Sequence, residues 1–263
     1  MTALARQDEE QGSGRQDHSW DATAMDTPPV TRLLDLTGQV ALVTCAGAGI
    51  GAGIACRLAE AGARVVIHYR SNAEGASRVA QAVAERGSQA LVHGADLTTP
   101  QGAAGLVSAA VRGFGRLDLL VNNSGLYPIS PLIEMPIEQW NAVVAANLTT
   151  THLMTQAFGR AVEPARGGAI VNVASIEASN VAPMHAHYVA AKAGVVMYTK
   201  AAARELGPRG IRVNAVSPGL IWREGLDEAW PDGVSRYQRA APLGRLGRAS
   251  DVADACLFLL SGA

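Results

Sequence analysis

The run V-A-L-V-T-C-A-G-A-G-I-G-A-G-I-A occupies residues 40–55. Its first four residues, Val40 to Val43, form a short apolar run of the kind that makes a buried strand. Thr44, Cys45 and three glycines, Gly47, Gly49 and Gly51, then lead into an apolar helical pattern that starts near Ile50. Glycines placed between a strand and a helix permit a tight turn, and they let backbone amides approach a pyrophosphate at the helix N-terminus. A lone glycine cluster is a weak signal. It becomes a strong one at the first strand–helix turn of a chain that goes on alternating in the same way.

This chain does alternate. Further apolar runs stand at residues 64–69, 90–93, 117–121, 169–174 and 211–216, and each except the last is followed by a stretch long enough for a crossover helix. Strands apolar throughout, joined by helical crossovers, make a parallel sheet covered on both faces. The expected fold is therefore α/β, a doubly wound Rossmann-type parallel sheet. Six strands are expected, because no strand-forming sequence follows Leu260. The sixth would then be an open edge.

Composition bounds the rest. The 263 residues are 48% hydrophobic and 17% charged, which suits one large domain over residues 35–263 with a substantial core. The net charge of −1 implies no basic surface for nucleic acid. No apolar run approaches the ~20 residues of a membrane span. Cys45, Cys56 and Cys256 are too few for a disulfide framework, so a reducing, cytoplasmic setting is expected. Residues 1–34 are polar and end in Thr27-Pro28-Pro29 before a short apolar stretch. They read as a disordered tail without a signal-peptide core. No metal site is expected.

A second stretch carries chemistry: S-I-E-A-S-N-V-A-P-M-H-A-H-Y-V-A-A-K, residues 175–192. It follows the apolar run at 169–174 and leads into helical periodicity over residues 187–206. Tyr188 and Lys192 stand four apart, on one helix face. A phenol has a pKa near ~10. A neighbouring ammonium favours the phenolate, so Lys192 is expected to lower the Tyr188 value. Tyr188 could then exchange a proton with an alcohol or carbonyl oxygen that the Ser175 hydroxyl also holds. Only Lys192 and Lys200 among the basic residues are lysines, so an accidental pair at this spacing would far sooner be Tyr–Arg.

Other positions fall where a dinucleotide would lie. The second strand ends in H-Y-R-S, residues 68–71, with no carboxylate before Glu74. Tyr69, Arg70 and Ser71 suit a 2′-phosphate better than a free ribose hydroxyl, which favours NADP(H); the alternative is a solvated loop charge at Arg70. Asp96, in G-A-D-L, would either bond an adenine amine or cap the helix that begins near Pro100. N-N-S-G at 122–125 ends the fourth strand with small and amide groups. The helical stretch 137–160 carries an apolar stripe of Ile137, Trp140, Val144, Met154 and Phe158, and Asn147 falls within it. A polar residue there needs a partner, either local backbone or a water near the site. S-P-G-L at 217–220 opens an irregular stretch to Gly247 with the character of a lid. Residues 248–260 read as a last helix with Ser250 as N-cap.

Together T-C-A-G-A-G-I-G, N-N-S-G, Asn147, Ser175, Y-V-A-A-K and S-P-G resemble the short-chain dehydrogenase/reductase family over roughly residues 37–262. The resemblance implies a catalytic tetrad of Asn147, Ser175, Tyr188 and Lys192. Asn147 would support a proton-relay water, and Lys192 would also bind the nicotinamide ribose. It implies cofactor contacts from Thr44, Gly47, Gly49, Ile50 and Gly51 in the first turn. Tyr69, Arg70, Ser71, Asp96 and Leu97 would lie along the adenosine half, and Asn123, Gly125, Tyr188, Lys192, Pro218 and Gly219 along the nicotinamide half. It also implies a homotetramer or homodimer built through residues 137–160 and 187–206. Three features depart from the family pattern: Cys45 in place of a glycine, Ser124 in place of an alanine, and no strand-forming sequence after Leu260. A side chain at 45 in a left-handed conformation would cost about 1–2 kcal/mol.

Within the family, H-Y-R-S, Y-P-I-S-P-L and P-G-L-I-W are similar to pteridine reductases, although the arginine those enzymes carry in the glycine turn would fall at Gly49. H-Y-R-S with Ser175 equally suits general ketone reductases, 3-oxoacyl-thioester reductases among them. The leading expectation is an NADPH-dependent carbonyl reductase. A fold that binds NADP(H) without turnover is the alternative. Tyr127 and Trp222 are expected to line the substrate pocket and to favour a planar substrate over a long acyl chain.

Overall fold

The computed structural model describes residues 29–163 and 165–262. Residues 1–28 of the expected tail lie outside the described residues. From Val40 onward strands and helices alternate. The strands are β1 (Val40–Val43), β2 (Arg64–Tyr69), β3 (Ala90–Gly94), β4 (Leu119–Asn122), β5 (Gly168–Val173) and β6 (Ile211–Val216). They form one parallel sheet in the order β3-β2-β1-β4-β5-β6. Among the described residues β6 is an edge strand.

Side chains alternate across each strand, and this divides the core in two. Ala41 and Val43 of β1, with Val65 and Ile67 of β2 and Val121 of β4, face α1 (Gly49–Glu60), α2 (Ala73–Glu85) and α9 (Ala249–Leu260). Val40, Leu42, Val66, Leu120 and Ile170 face the other layer, α3 (Pro100–Phe114), α5 (Thr150–Ala161) and α6 (Ala186–Leu206). β1, β2, β4 and β5 are buried on both faces, which is why they read as apolar runs. No helix among the described residues is long and apolar enough to cross a membrane.

Strand order reverses between β1 and β4, and their carboxyl ends open the crevice where such sheets bind ligands. The two ends are tied together there. Thr44 Oγ1 accepts the N–H groups of Asn123 at 2.8 Å and Ser124 at 3.0 Å. Asn123 Nδ2 donates back to the carbonyls of Thr44 and Cys45 at 3.0 and 3.2 Å.

Three expectations need correction. Residues 137–160 are not one regular helix: α4 (Ile137–Val144) passes through a π-helical turn, Ala145–Thr149, into α5. The buried face accordingly runs Val143, Asn147, Thr151, Met154, Phe158, while Ile137 is 62% exposed. The stretch 220–247 is not irregular. It holds α7 (Leu226–Ala229) and α8 (Pro231–Ala240) around a small core of Leu226, Val234 and Leu246. Its base is pinched by Trp222 N–H to Gly247 O at 2.8 Å and Gly247 N–H to Leu220 O at 3.0 Å. Ser250 lies inside α9, whose N-cap is Arg248; the Asp251 carboxylate accepts the Arg248 N–H at 2.7 Å and so takes the capping role.

Candidate active site

The first turn leaves open space at Gly49. Gly49 has φ +55°, and a Cβ placed on it would meet nothing within 4 Å. Gly51 needs its hydrogen for a different reason: a Cβ there would lie 2.5 Å from the Cys45 carbonyl and 2.6 Å from Asn123 Nδ2. Helix α1 starts at Gly49 behind Ala48, which offers no side-chain acceptor. Its first amides therefore remain available to a phosphate. Asn72 closes the turn from the next loop, accepting from Gly75 N–H at 2.9 Å and donating to Gly47 O at 3.3 Å.

Cys45 adopts φ +49°, the left-handed conformation anticipated as costly. Its N–H donates to His68 Nδ1 at 3.0 Å, and His68 Nε2 lies 3.0 Å from Ala95 O. This pair of contacts sets the tautomer, with the proton on Nε2. Burial pushes the His68 ring below its ordinary pKa. Ser124 Oγ donates to Cys45 Sγ at 3.2 Å, so two departures from the family pattern touch each other. Burial raises the Cys45 thiol, which stays protonated.

At the tip of β2, Arg70 is exposed and its guanidinium stands 3.8 Å from Asp96. Asp96 does not cap α3. That role belongs to Thr99, which accepts from Gly102 N–H at 3.1 Å. Asp96 instead accepts from the Thr98 N–H at 3.0 Å and hydroxyl at 2.7 Å, which holds its carboxyl below the usual range.

The tetrad residues come together at the carboxyl ends of β4 and β5. Asn147 sits in the π turn, fully buried; its Nδ2 donates to Leu126 O at 2.8 Å and Val143 O at 2.9 Å. Its Oδ1 is buried with no protein partner. A Cβ on Gly125 would lie 2.8 Å from that oxygen and 3.7 Å from Lys192 Nζ, so glycine leaves room between them. Lys192 donates to Val173 O at 2.7 Å and stands 5.7 Å from the centre of the Tyr188 ring. Desolvation brings the Lys192 pKa down to about 8. Tyr188 corrects an expectation: burial raises its pKa, opposed by the Ser175 hydroxyl, and Lys192 is not among the groups that move it. Desolvation outweighs the hydrogen bond from Ser175.

Below the site, a buried chain joins the sheet to both active-site helices. Asn122 Nδ2 donates to Asn172 Oδ1 at 2.9 Å and Thr155 Oγ1 at 3.3 Å, and Asn172 Nδ2 donates to Thr199 Oγ1 at 2.9 Å. Tyr127 stands edge-on to Tyr188, ring centres 6.1 Å apart, with its hydroxyl accepting from Arg223 at 3.2 Å. Trp222 stands on the wall of a cavity of about 840 Å³ shared with Gly49, Arg223, Arg245, Arg248 and Ala249, and Arg223 joins that wall to Tyr127. Sequence reading passed over Glu177 and His185. Both lie within the quoted stretch 175–192, and a carboxylate and an imidazole flanking a tyrosine are the available signal. Nothing in the sequence pointed to Arg223 or Tyr237, because the lid's path over the site is set only by its folding.

An α/β sheet with a glycine turn at its switch point and a Ser-Tyr-Lys-Asn cluster beside it defines a nicotinamide-dependent oxidoreductase. The comparisons agree. A family model described as enoyl-(acyl carrier protein) reductase matches residues 45–263. A D-threitol dehydrogenase of Mycolicibacterium smegmatis is 41% identical, with 87% of this chain and 88% of that protein covered. A 3-oxoacyl-[acyl-carrier-protein] reductase of Synechocystis is 36% identical over 85% of this chain and 90% of that one. The crystal structure of a short-chain type dehydrogenase/reductase from Mycobacterium marinum superposes with a TM-score of 0.84 at 37% identity, covering 89% and 92% of the two chains. The chain belongs to the short-chain dehydrogenase/reductase family, whose members use NAD(P)(H).

Proposed function

We propose that this enzyme reduces a ketone or aldehyde with NADPH and that Tyr188 delivers the proton. The observation that carries this reading is the meeting of Tyr188, Ser175, Lys192 and the unpartnered Asn147 oxygen beside Gly125. The residues present fit the cofactor. The amides at Gly49 to Gly51 would hold a pyrophosphate, Thr44 and Asn123 frame the crevice, and Leu97, Gly125, Pro218 and Gly219 would lie along the dinucleotide. When bound, the nicotinamide supplies a hydride to the carbonyl carbon.

The chain's own groups handle the oxygen. Ser175 holds it by a hydrogen bond, and Tyr188 donates its phenolic proton to it. A phenol with a raised pKa rests protonated at neutral pH, which suits a proton donor and so the reductive direction. Lys192 spends one N–H on Val173 O and keeps two more for a ribose and a water. The Asn147 Oδ1 is suited to holding that water, through which Lys192 would return a proton to Tyr188. Arrangement of these groups in one geometry supplies much of the rate.

Arg70 and Ser71, with no carboxylate at residues 69–71, support NADP(H) over NAD(H). Wild-type kcat/KM should favour NADPH by roughly tenfold or more, about 1.4 kcal/mol. Tyr69→Asp combined with Arg70→Ala should move the preference toward NADH. Equal use of both cofactors by the wild type would reject the assignment. The relatives are named for a polyol and for an acyl-carrier thioester, so their names support carbonyl reduction without choosing a substrate. A homotetramer through α4, α5 and α6 fits the exposure of Ile137 and Met197, and light scattering on the eluted protein would test it.

A further inference from the structure

The mouth of the site carries a carboxylate–imidazole pair that proton delivery does not use. Glu177 lies in the single 3₁₀ turn after Ser175, Ile176–Ala178. His185 is the residue before α6 and directly follows Met184, which is held at φ +61°. A left-handed methionine is a strained way to enter a helix; the turn is pinned by Ser130 N–H to Met184 O at 2.8 Å. Its effect is to place the His185 ring against both partners. His185 Nδ1 is 2.9 Å from Glu177 Oε2, and the ring stands edge-on to Tyr188 with centres 5.9 Å apart. The side chains of His185 and Glu177 keep only 18% and 22% of their exposure.

The same pocket holds other polar groups. Glu177 acts electrostatically on Tyr188 and on Tyr237 of the lid helix α8. Tyr127 and Arg223 close the other side through their hydrogen bond. Glu177, Tyr127 and Tyr237 thus act on the Tyr188 phenol, while His185 and Arg223 hold Glu177 and Tyr127 by hydrogen bonds, so the wall beside Tyr188 is polar. Such a wall is costly for an acyl chain, which would strip water from polar groups and return no hydrogen bonds.

We infer that Glu177, oriented by His185, is the residue that selects the substrate, and that it does so by accepting hydrogen bonds from hydroxyl groups next to the reacting carbonyl of a polyhydroxylated compound. One Glu177 oxygen is engaged by His185, which leaves the other free to accept from the substrate. A carboxylate is an acceptor only, so it pairs with hydroxyls and repels the carboxylate of an oxo acid. A site built to bond a hydroxyl rejects the analogue that lacks it. Because Glu177 keeps some exposure, discrimination on the order of 10- to 100-fold is expected, below the 10⁴-fold of a fully buried site. The inference rests on Tyr188 as the proton donor, and its test separates the two claims.

The experiment compares NADPH-dependent reduction of a four-carbon trihydroxylated ketone, butanone, an aromatic ketone, an oxo acid and acetoacetyl-coenzyme A. The wild type should have its highest kcat/KM on the hydroxylated ketone. Glu177→Gln should raise the KM for that ketone by about 10- to 100-fold, leaving the KM for NADPH and the rate on butanone within about threefold. Glu177→Asp, which restores a carboxylate, should recover part of the loss. Calorimetric binding of the corresponding polyol to the NADP⁺-loaded enzyme should weaken in parallel, a readout independent of turnover. Highest wild-type activity on the thioester, the aromatic ketone or the oxo acid would overturn the inference while leaving carbonyl reduction intact. An equal loss of kcat on every ketone in Glu177→Gln would also overturn it, placing Glu177 with proton delivery. Absence of turnover on all five compounds would remove the Tyr188 reading and this one with it.

Discussion

Cys45 shows how much one side chain can alter the cost of a turn. At φ +49° a residue with a Cβ is strained by about 1–2 kcal/mol relative to glycine. The Ser124 hydroxyl against its sulfur and the His68 nitrogen against its N–H hold it there. Cys45→Gly relieves the strain but gains freedom in the unfolded chain worth about 0.5–1 kcal/mol. The variant should therefore differ from wild type by no more than about 1 kcal/mol. Cys45→Val, β-branched in a left-handed position, should lose about 2 kcal/mol or more. Urea midpoints for the two variants decide the matter, and equal stability of the two would show that the turn is not strained. Both departures at 45 and 124 are visible in the sequence, but their contact is not. They lie 79 residues apart and meet only because β1 and β4 are neighbours at the switch point.

β2, the end of β3 and the first turn meet at His68. The ring accepts from Cys45 and donates to Ala95, a job only the neutral form can do. Its folded pKa is depressed below 6.5, so the folded chain resists a proton that the unfolded chain takes up. The stabilisation is present above about pH 6.5 and is lost as pH falls toward the folded value. Stability should fall with acid in the window below pH 6.5, and His68→Gln should flatten that slope while lowering stability at neutral pH. Denaturation midpoints across this window that run parallel in the two proteins would contradict the role. The π turn at 145–149 belongs to the same scale. A helical stripe was legible over 137–160, but an extra residue in one turn leaves no mark on a pattern read at 3.6 residues per turn. Asn147 lies in that turn, with its side-chain Oδ1 buried and without a protein partner.

For the whole molecule, the strands were legible to within a residue or two because a parallel sheet buried on both faces writes itself as apolar runs. Tyr188 and Lys192 stand out in the sequence because lysine is scarce, only Lys192 and Lys200 among 22 basic residues. The lid, the Glu177–His185 pair and the pKa order of Tyr188 and Lys192 were not, since burial is a property of the assembled fold. That burial has a kinetic consequence. Lys192, brought to about 8, loses its charge above that pH and can no longer resupply the proton. kcat/KM for NADPH, which reports groups of the free enzyme, should fall above about pH 8. A profile flat from about pH 7 to about pH 9.5 would contradict the assigned role of Lys192.

The proton donor remains the centre of the account, and Tyr188→Phe isolates it. The substitution removes the hydroxyl and keeps the ring that packs against Tyr127, His185 and Lys192. NADPH affinity, measured by calorimetry, should stay within about threefold of wild type, while turnover on the preferred ketone should fall by about 10²- to 10⁴-fold. A variant that binds NADPH normally and turns over at near the wild-type rate would show that the proton comes from elsewhere.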